Sequence, residues 1–138
     1  MNAHVPLTVG QKTRLALDCV PLVGYLLLAM AYYFAIRPRI EVPLVPFYLL
    51  TTIVIIVRGP AALARLRDLL LGVALIQEDR LESFGRSGHR RQSSWGLFAT
   101  QGRLWMTAGV LLPGRKGHRH RITYSPASRI AWRLEPLD

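Results

Sequence analysis

At 138 residues the chain has room for one modest domain and a short anchor, which excludes two large cores. Its one cysteine, Cys19, excludes a disulfide framework and a cysteine-based zinc site. The formal charge of +10 points to an anionic partner or to the charge asymmetry of a membrane protein, because apolar residues crowd the first 57 positions and nearly all the charge follows them.

Positions 19–36 carry no charged residue, and 18 positions come close to the ~30 Å hydrocarbon core at ~1.5 Å per residue. The run ends in Tyr32, Tyr33 and Phe34 followed by Arg37 and Pro38. An aromatic belt and a basic stop mark a membrane helix rather than a cleavable signal. Asp18 sits one turn from the end of the run, where it can reach interfacial water or pair with Arg14. The link over 37–43 holds Pro38 and Pro43 and predicts a tight turn. A second apolar span follows to Val57, short for a membrane helix but able to extend.

Lys12 and Arg14 precede this hairpin, Arg37 and Arg39 lie in its turn, and the other 14 of the 18 basic residues follow. The positive-inside rule places both termini in the cytoplasm. Residues 58–71 predict an amphipathic helix with Leu63, Leu66 and Leu70 on one face and Arg65 and Asp68 opposite. This elbow either extends the second membrane helix or lies along the interface.

From Gly72 the period changes to that of strands. Residues 73–76 and 80–84 predict short strands separated by a polar break at Gln77, Glu78 and Asp79. A glycine- and arginine-rich loop occupies 85–92. Trp95, Leu97 and Ala99 alternate toward one face, Gln101 and Gly102 turn the chain, and Leu104, Met106 and Ala108 alternate again, which predicts a hairpin. A second basic loop at 113–118 leads to a strand over 119–124. Ser125 to Ser128 make a turn around Pro126, and in the last strand Ile130, Trp132 and Leu134 point inward.

The fold class expected is membrane α+β: a two-helix transmembrane hairpin followed by a small antiparallel β-sheet or barrel of five or six strands. Its parts are a cytoplasmic N-terminal segment (1–14), the hairpin (15–57, with helices about 15–36 and 43–57), the elbow (58–71) and a cytoplasmic β-domain (72–138). The string Arg-Ile-Thr-Tyr-Ser-Pro-Ala-Ser-Arg at 121–129, with Trp132 and the Leu-Glu-Pro of 134–136, resembles a pattern in small uncharacterised bacterial membrane proteins. The resemblance covers the last twenty or so residues. It implies a helix pair before a small β-domain and carries no activity; with the charge distribution, the expected location is the bacterial cytoplasmic membrane.

No catalytic pattern emerges. His118 and His120 would face one way on a strand, but arginines surround them and repel a metal cation. The serines lack the spacing of a nucleophile elbow, and Gly85 to Gly88 lack that of a phosphate loop. The chain is therefore expected to be non-enzymatic and without cofactor.

Six cations in the two basic loops, Arg86, Arg90, Arg91, Arg115, Lys116 and Arg119, are the expected contacts to anionic lipid or ligand. A domain hung beside an anionic leaflet has reason to be basic, so headgroups are favoured over nucleic acid. Trp95, Trp105, Tyr124 and Trp132 could instead form a stacking platform for single strands, but the alternating positions of the tryptophans predict that they fill the core. The functional expectation is an interaction module for a protein or lipid headgroup, with self-association through the hairpin as a further possibility and an accessory role in a larger membrane assembly. The rival is a membrane-anchored sensor whose barrel binds an anionic ligand such as a nucleotide.

Overall fold

The computed structural model describes residues 3–36, 44–87, 93–107, 110 and 116–137. A short strand β1 (Ala3–Pro6) leads into helix α1 (Val9–Ala31), which continues as a π-helical turn over Tyr32–Ile36. Helix α1 starts earlier than its apolar run because Thr8 and Gln11 form a capping box. Thr8 N–H donates to Gln11 Oε1 at 2.8 Å, and Gln11 N–H donates to Thr8 Oγ1 at 3.4 Å. Helix α2 (Leu44–Leu71) is continuous over 28 residues, so the 58–71 segment extends the second span. At ~1.5 Å per residue it is ~42 Å long, more than the ~30 Å hydrocarbon core needs. Gly72, at φ 64°, stops it in the left-handed conformation, and its N–H donates to Asp68 O at 2.9 Å.

The two helices are antiparallel neighbours. Tyr25 and Thr51 hydroxyls lie 3.2 Å apart, the Tyr32 and Phe47 rings are 4.7 Å apart, and Asp18 pairs with Arg65 at 3.7 Å. The partner of Asp18 is thus a residue of the other helix rather than Arg14. Both helices are long and apolar enough to cross a membrane, and only 6% and 0% of their apolar windows are buried by the rest of the chain. The core helix of a soluble protein would be covered; Leu28 is 72% exposed and Val45 74%.

Five strands follow: β2 (Val73–Ser87), β3 (Ser93–Phe98), β4 (Gly102–Met106), β5 (Arg119–Ser125) and β6 (Ile130–Pro136). With β1 they make one six-stranded sheet in the order β1-β2-β3-β4-β6-β5, and β5 also pairs with β2. The sheet is mixed, not antiparallel as expected, because β4 and β6 run parallel through Trp105 opposite Ile130 and Met106 opposite Ala131. The N-terminal segment supplies β1, which pairs with the start of β2.

The break expected at 77–79 is absent: β2 runs unbroken for 15 residues, with a register shift between Leu81 and Ser83. Gln77 and Asp79 fit within the strand because each finds polar partners. The core holds Leu81, Phe98, Leu104, Met106, Ile122, Tyr124 and Ala131, with Leu75, Val110 and Leu134 against it.

The tryptophans are not in this core. On β3 the buried residues are Gly96 and Phe98, the face opposite to Trp95 and Leu97. Gly96 marks the inner face because a Cβ there would meet Met106 Cε at 2.7 Å and Phe98 Cε2 at 2.9 Å. On β6 a register shift between Thr123 and Tyr124 breaks simple alternation. Ala131 and Leu134 then pack on the core, while Ile130 and Trp132 pack with the helices.

Candidate functional site

Where the helices meet the sheet, Leu7, Leu15, Ala74 and Ile130 form a second buried cluster, with Leu69 and Trp132 packed against it. Asp68 closes the joint. Its carboxylate is fully buried and accepts hydrogen bonds from Ala127 N–H at 2.9 Å and Ser128 N–H at 2.6 Å. Those amides belong to the turn between β5 and β6, so one side chain of α2 binds the turn to the helix. A buried carboxylate taking two N–H donors makes charge-assisted bonds, roughly twice the strength of neutral ones. Trp132 adds a bond from Nε1–H to Ser125 Oγ at 2.8 Å, and Leu7 N–H donates to Gly72 O at 2.8 Å.

A second buried carboxylate, Asp79, holds the turn between β3 and β4. It accepts from Thr100 N–H and Gln101 N–H, each at 2.9 Å, and from Arg80 N–H at 2.7 Å. Beside it the Gln101 side chain bridges Gln77 and the Tyr124 hydroxyl. Burial raises the Tyr124 pKa above its ordinary 10.0; the Arg129 charge opposes the shift and Asp79 adds to it. Both carboxylates are consumed by backbone donors, which is a structural use.

The expected cations divide. Arg90, Arg91 and Arg115 lie outside the described residues. Arg86 is a position of β2 opposite Ser94. Lys116 and Arg119 are exposed and near one another in sequence, beside Arg80, whose Nε–H donates to Gly117 O at 2.9 Å. Glu78 is shared by Arg121 at 3.1 Å and Arg119 at 3.9 Å, so one carboxylate serves two guanidinium groups and the edge stays positive. His120 is buried, with Nδ1 3.0 Å from His118 O. Among the described residues no three of His, Cys, Asp and Glu are grouped to hold a metal ion.

The residues that sequence reasoning missed are Asp68 and Asp79. On a helical wheel Asp68 belongs to the polar face, and nothing local announces the turn 59 residues later that it holds. Comparison with known proteins adds no precedent: the chain matches no protein-family model, no curated protein and no solved structure.

Proposed function

We propose that this chain is a non-enzymatic integral membrane protein of the bacterial cytoplasmic membrane, with a basic β-module that engages an acidic protein partner. The helices α1 and α2 cross the bilayer as a hairpin, and both termini and the β-module lie in the cytoplasm. The pairings β2–β3–β4–β6–β5–β2 return to their start, which supports reading the five strands as a small closed barrel. The exposed apolar helices support insertion, the distribution of lysine and arginine supports the orientation, and the tail resemblance supports the bacterial setting. A fixed joint at Asp68 makes the barrel a platform held at one position under the membrane.

The observation that carries the choice of partner is register. Arg119 stands opposite Arg80, seven residues beyond Val73, so this basic edge begins ~23 Å of strand from the end of α2. Up to Arg80, ahead of the register shift of β2 between Leu81 and Ser83, that contour is well beyond the ~8 Å over which exposed charges act at physiological salt. A protein surface can reach that edge more readily than the leaflet that holds the anchor.

Photo-crosslinking in native membranes from a probe at Lys116 tests the reading. A protein adduct of one defined mass, lost on Arg119→Glu with Arg121→Glu, is the expected result. Lipid adducts alone would return the edge to headgroup binding and overturn the protein reading.

A further inference from the structure

We infer that the outer face of β3 and β4, built from Trp95, Arg103 and Trp105, lies in the headgroup layer of the bilayer and is a lipid contact of the β-module, separate from the basic residues assigned to a protein partner. The inference rests on the reading of α1 and α2 as membrane helices. Trp105 is 40% exposed, an unusual position for a large ring on a small domain. It stands directly opposite Trp95 across β3 and β4, and the Arg103 guanidinium lies 4.7 Å from the centre of the Trp95 ring. Gly85 leaves the room that the Trp95 ring uses, since a Cβ there would come within 2.7 Å of Cζ2.

What covers this face follows from its neighbours. In the parallel pairing of β4 and β6, Trp105 is opposite Ile130, so their side chains share a face about 5 Å apart. Ile130 belongs to the buried cluster with Leu15 of α1, against which Leu69 of α2 packs. Leu15 lies four residues before Cys19, where the uncharged run begins, which is ~6 Å along the helix axis. The joint therefore sits at the depth of the headgroups, which extend ~5–8 Å beyond the hydrocarbon on each side. Trp105 is one strand away from that joint and Trp95 two.

The chemistry of the face suits that layer. Tryptophan pairs an apolar body with an N–H donor and favours membrane interfaces, and an arginine over the ring can direct its charge to a lipid phosphate. A soluble protein partner would need to approach between the barrel and the membrane.

The test is fluorescence of the full-length protein in nanodiscs whose lipids are brominated near the carbonyl end of the acyl chain. Two single-tryptophan versions, Trp95→Phe with Trp132→Phe and Trp105→Phe with Trp132→Phe, report on Trp105 and Trp95 in turn. Each should lose most of its emission in brominated discs and resist acrylamide in water. Strong acrylamide quenching without bromine quenching would place the face in the cytoplasm and overturn the inference; protection from both would show a protein cover and overturn it equally.

Leu28→Trp in a background without the three native tryptophans separates the two readings. If lipids brominated near the chain end quench it while Trp95 and Trp105 stay unquenched, only the face proposal fails; if they do not, the membrane reading itself fails. Labelling of the unsubstituted protein with a lipid-borne diazirine, expected on peptides containing Trp95 and Trp105, needs no variant to fold.

Discussion

Removing the Asp68 carboxylate should loosen the sheet from the helices. In Asp68→Ala the Ala127 and Ser128 N–H groups lose their acceptor in a place where the replaced side chain was fully buried. A hydrogen bond to a charged group contributes ~1.5–3 kcal/mol net, so the pair is worth about 3–5 kcal/mol once some rehydration of the freed amides is allowed. Asp68→Asn keeps one acceptor oxygen but turns an NH2 toward the second amide, which sets its loss at roughly half as much. Urea unfolding of the full chain in mild detergent, followed through Trp132 beside Ser125, measures both. An Asp68→Ala loss under about 1 kcal/mol would refute the claim that this carboxylate holds the joint.

Gly96→Val should destabilise by roughly 1–3 kcal/mol, because its Cβ would enter the space of Met106 and Phe98; unchanged thermal stability would contradict the register of β3. Trp132→Ala should cost roughly 2–4 kcal/mol through lost packing at the helix joint, with β-sheet circular dichroism retained. Asp18→Asn should change stability by less than about 1 kcal/mol, since the pair with Arg65 is half exposed and screened by water. Tyr124 has a raised pKa when folded, so its contribution is complete below the ordinary tyrosine value of 10.0 and is lost as pH climbs from there through the raised value. Tyr124→Phe should remove that part of the alkaline loss in pH-dependent unfolding, and an unchanged alkaline slope would refute it.

The apolar helices were legible in sequence because a run without charge and an aromatic belt are local signals; the turn expected over 37–43 lies outside the described residues. The small β-module was legible in outline for the same reason: Gln101 and Gly102 mark a hairpin, and Gly72 marks the end of a helix. What was hidden depends on distant partners. Trp95, Trp105 and Trp132 look like core residues by alternation, but the interior is set by Gly96 and Phe98 on β3 and by the shifted register of β6, neither of which periodicity can weigh. The parallel pairing of β4 with β6 joins strands that are not consecutive in sequence, which alternation within each strand cannot announce. Gln77, Glu78 and Asp79 read as a break because polarity usually interrupts a strand, yet the amides of Thr100 and Gln101 come to meet Asp79. Of the six expected cations, Arg90, Arg91 and Arg115 lie outside the described residues, and register places Arg86 opposite Ser94 and Arg119 opposite Arg80, pairings that composition alone does not give.

Site-directed labelling tests the central claim, a hairpin in the membrane with the β-module on the cytoplasmic side. Cys19 is first replaced by serine, and single cysteines are placed at Arg39, between α1 and α2 in sequence, and at Glu82, exposed on β2. In intact cells a membrane-impermeant maleimide should react at position 39, and at position 82 only after permeabilisation. Reaction at position 82 in intact cells, with position 39 protected, would contradict the account.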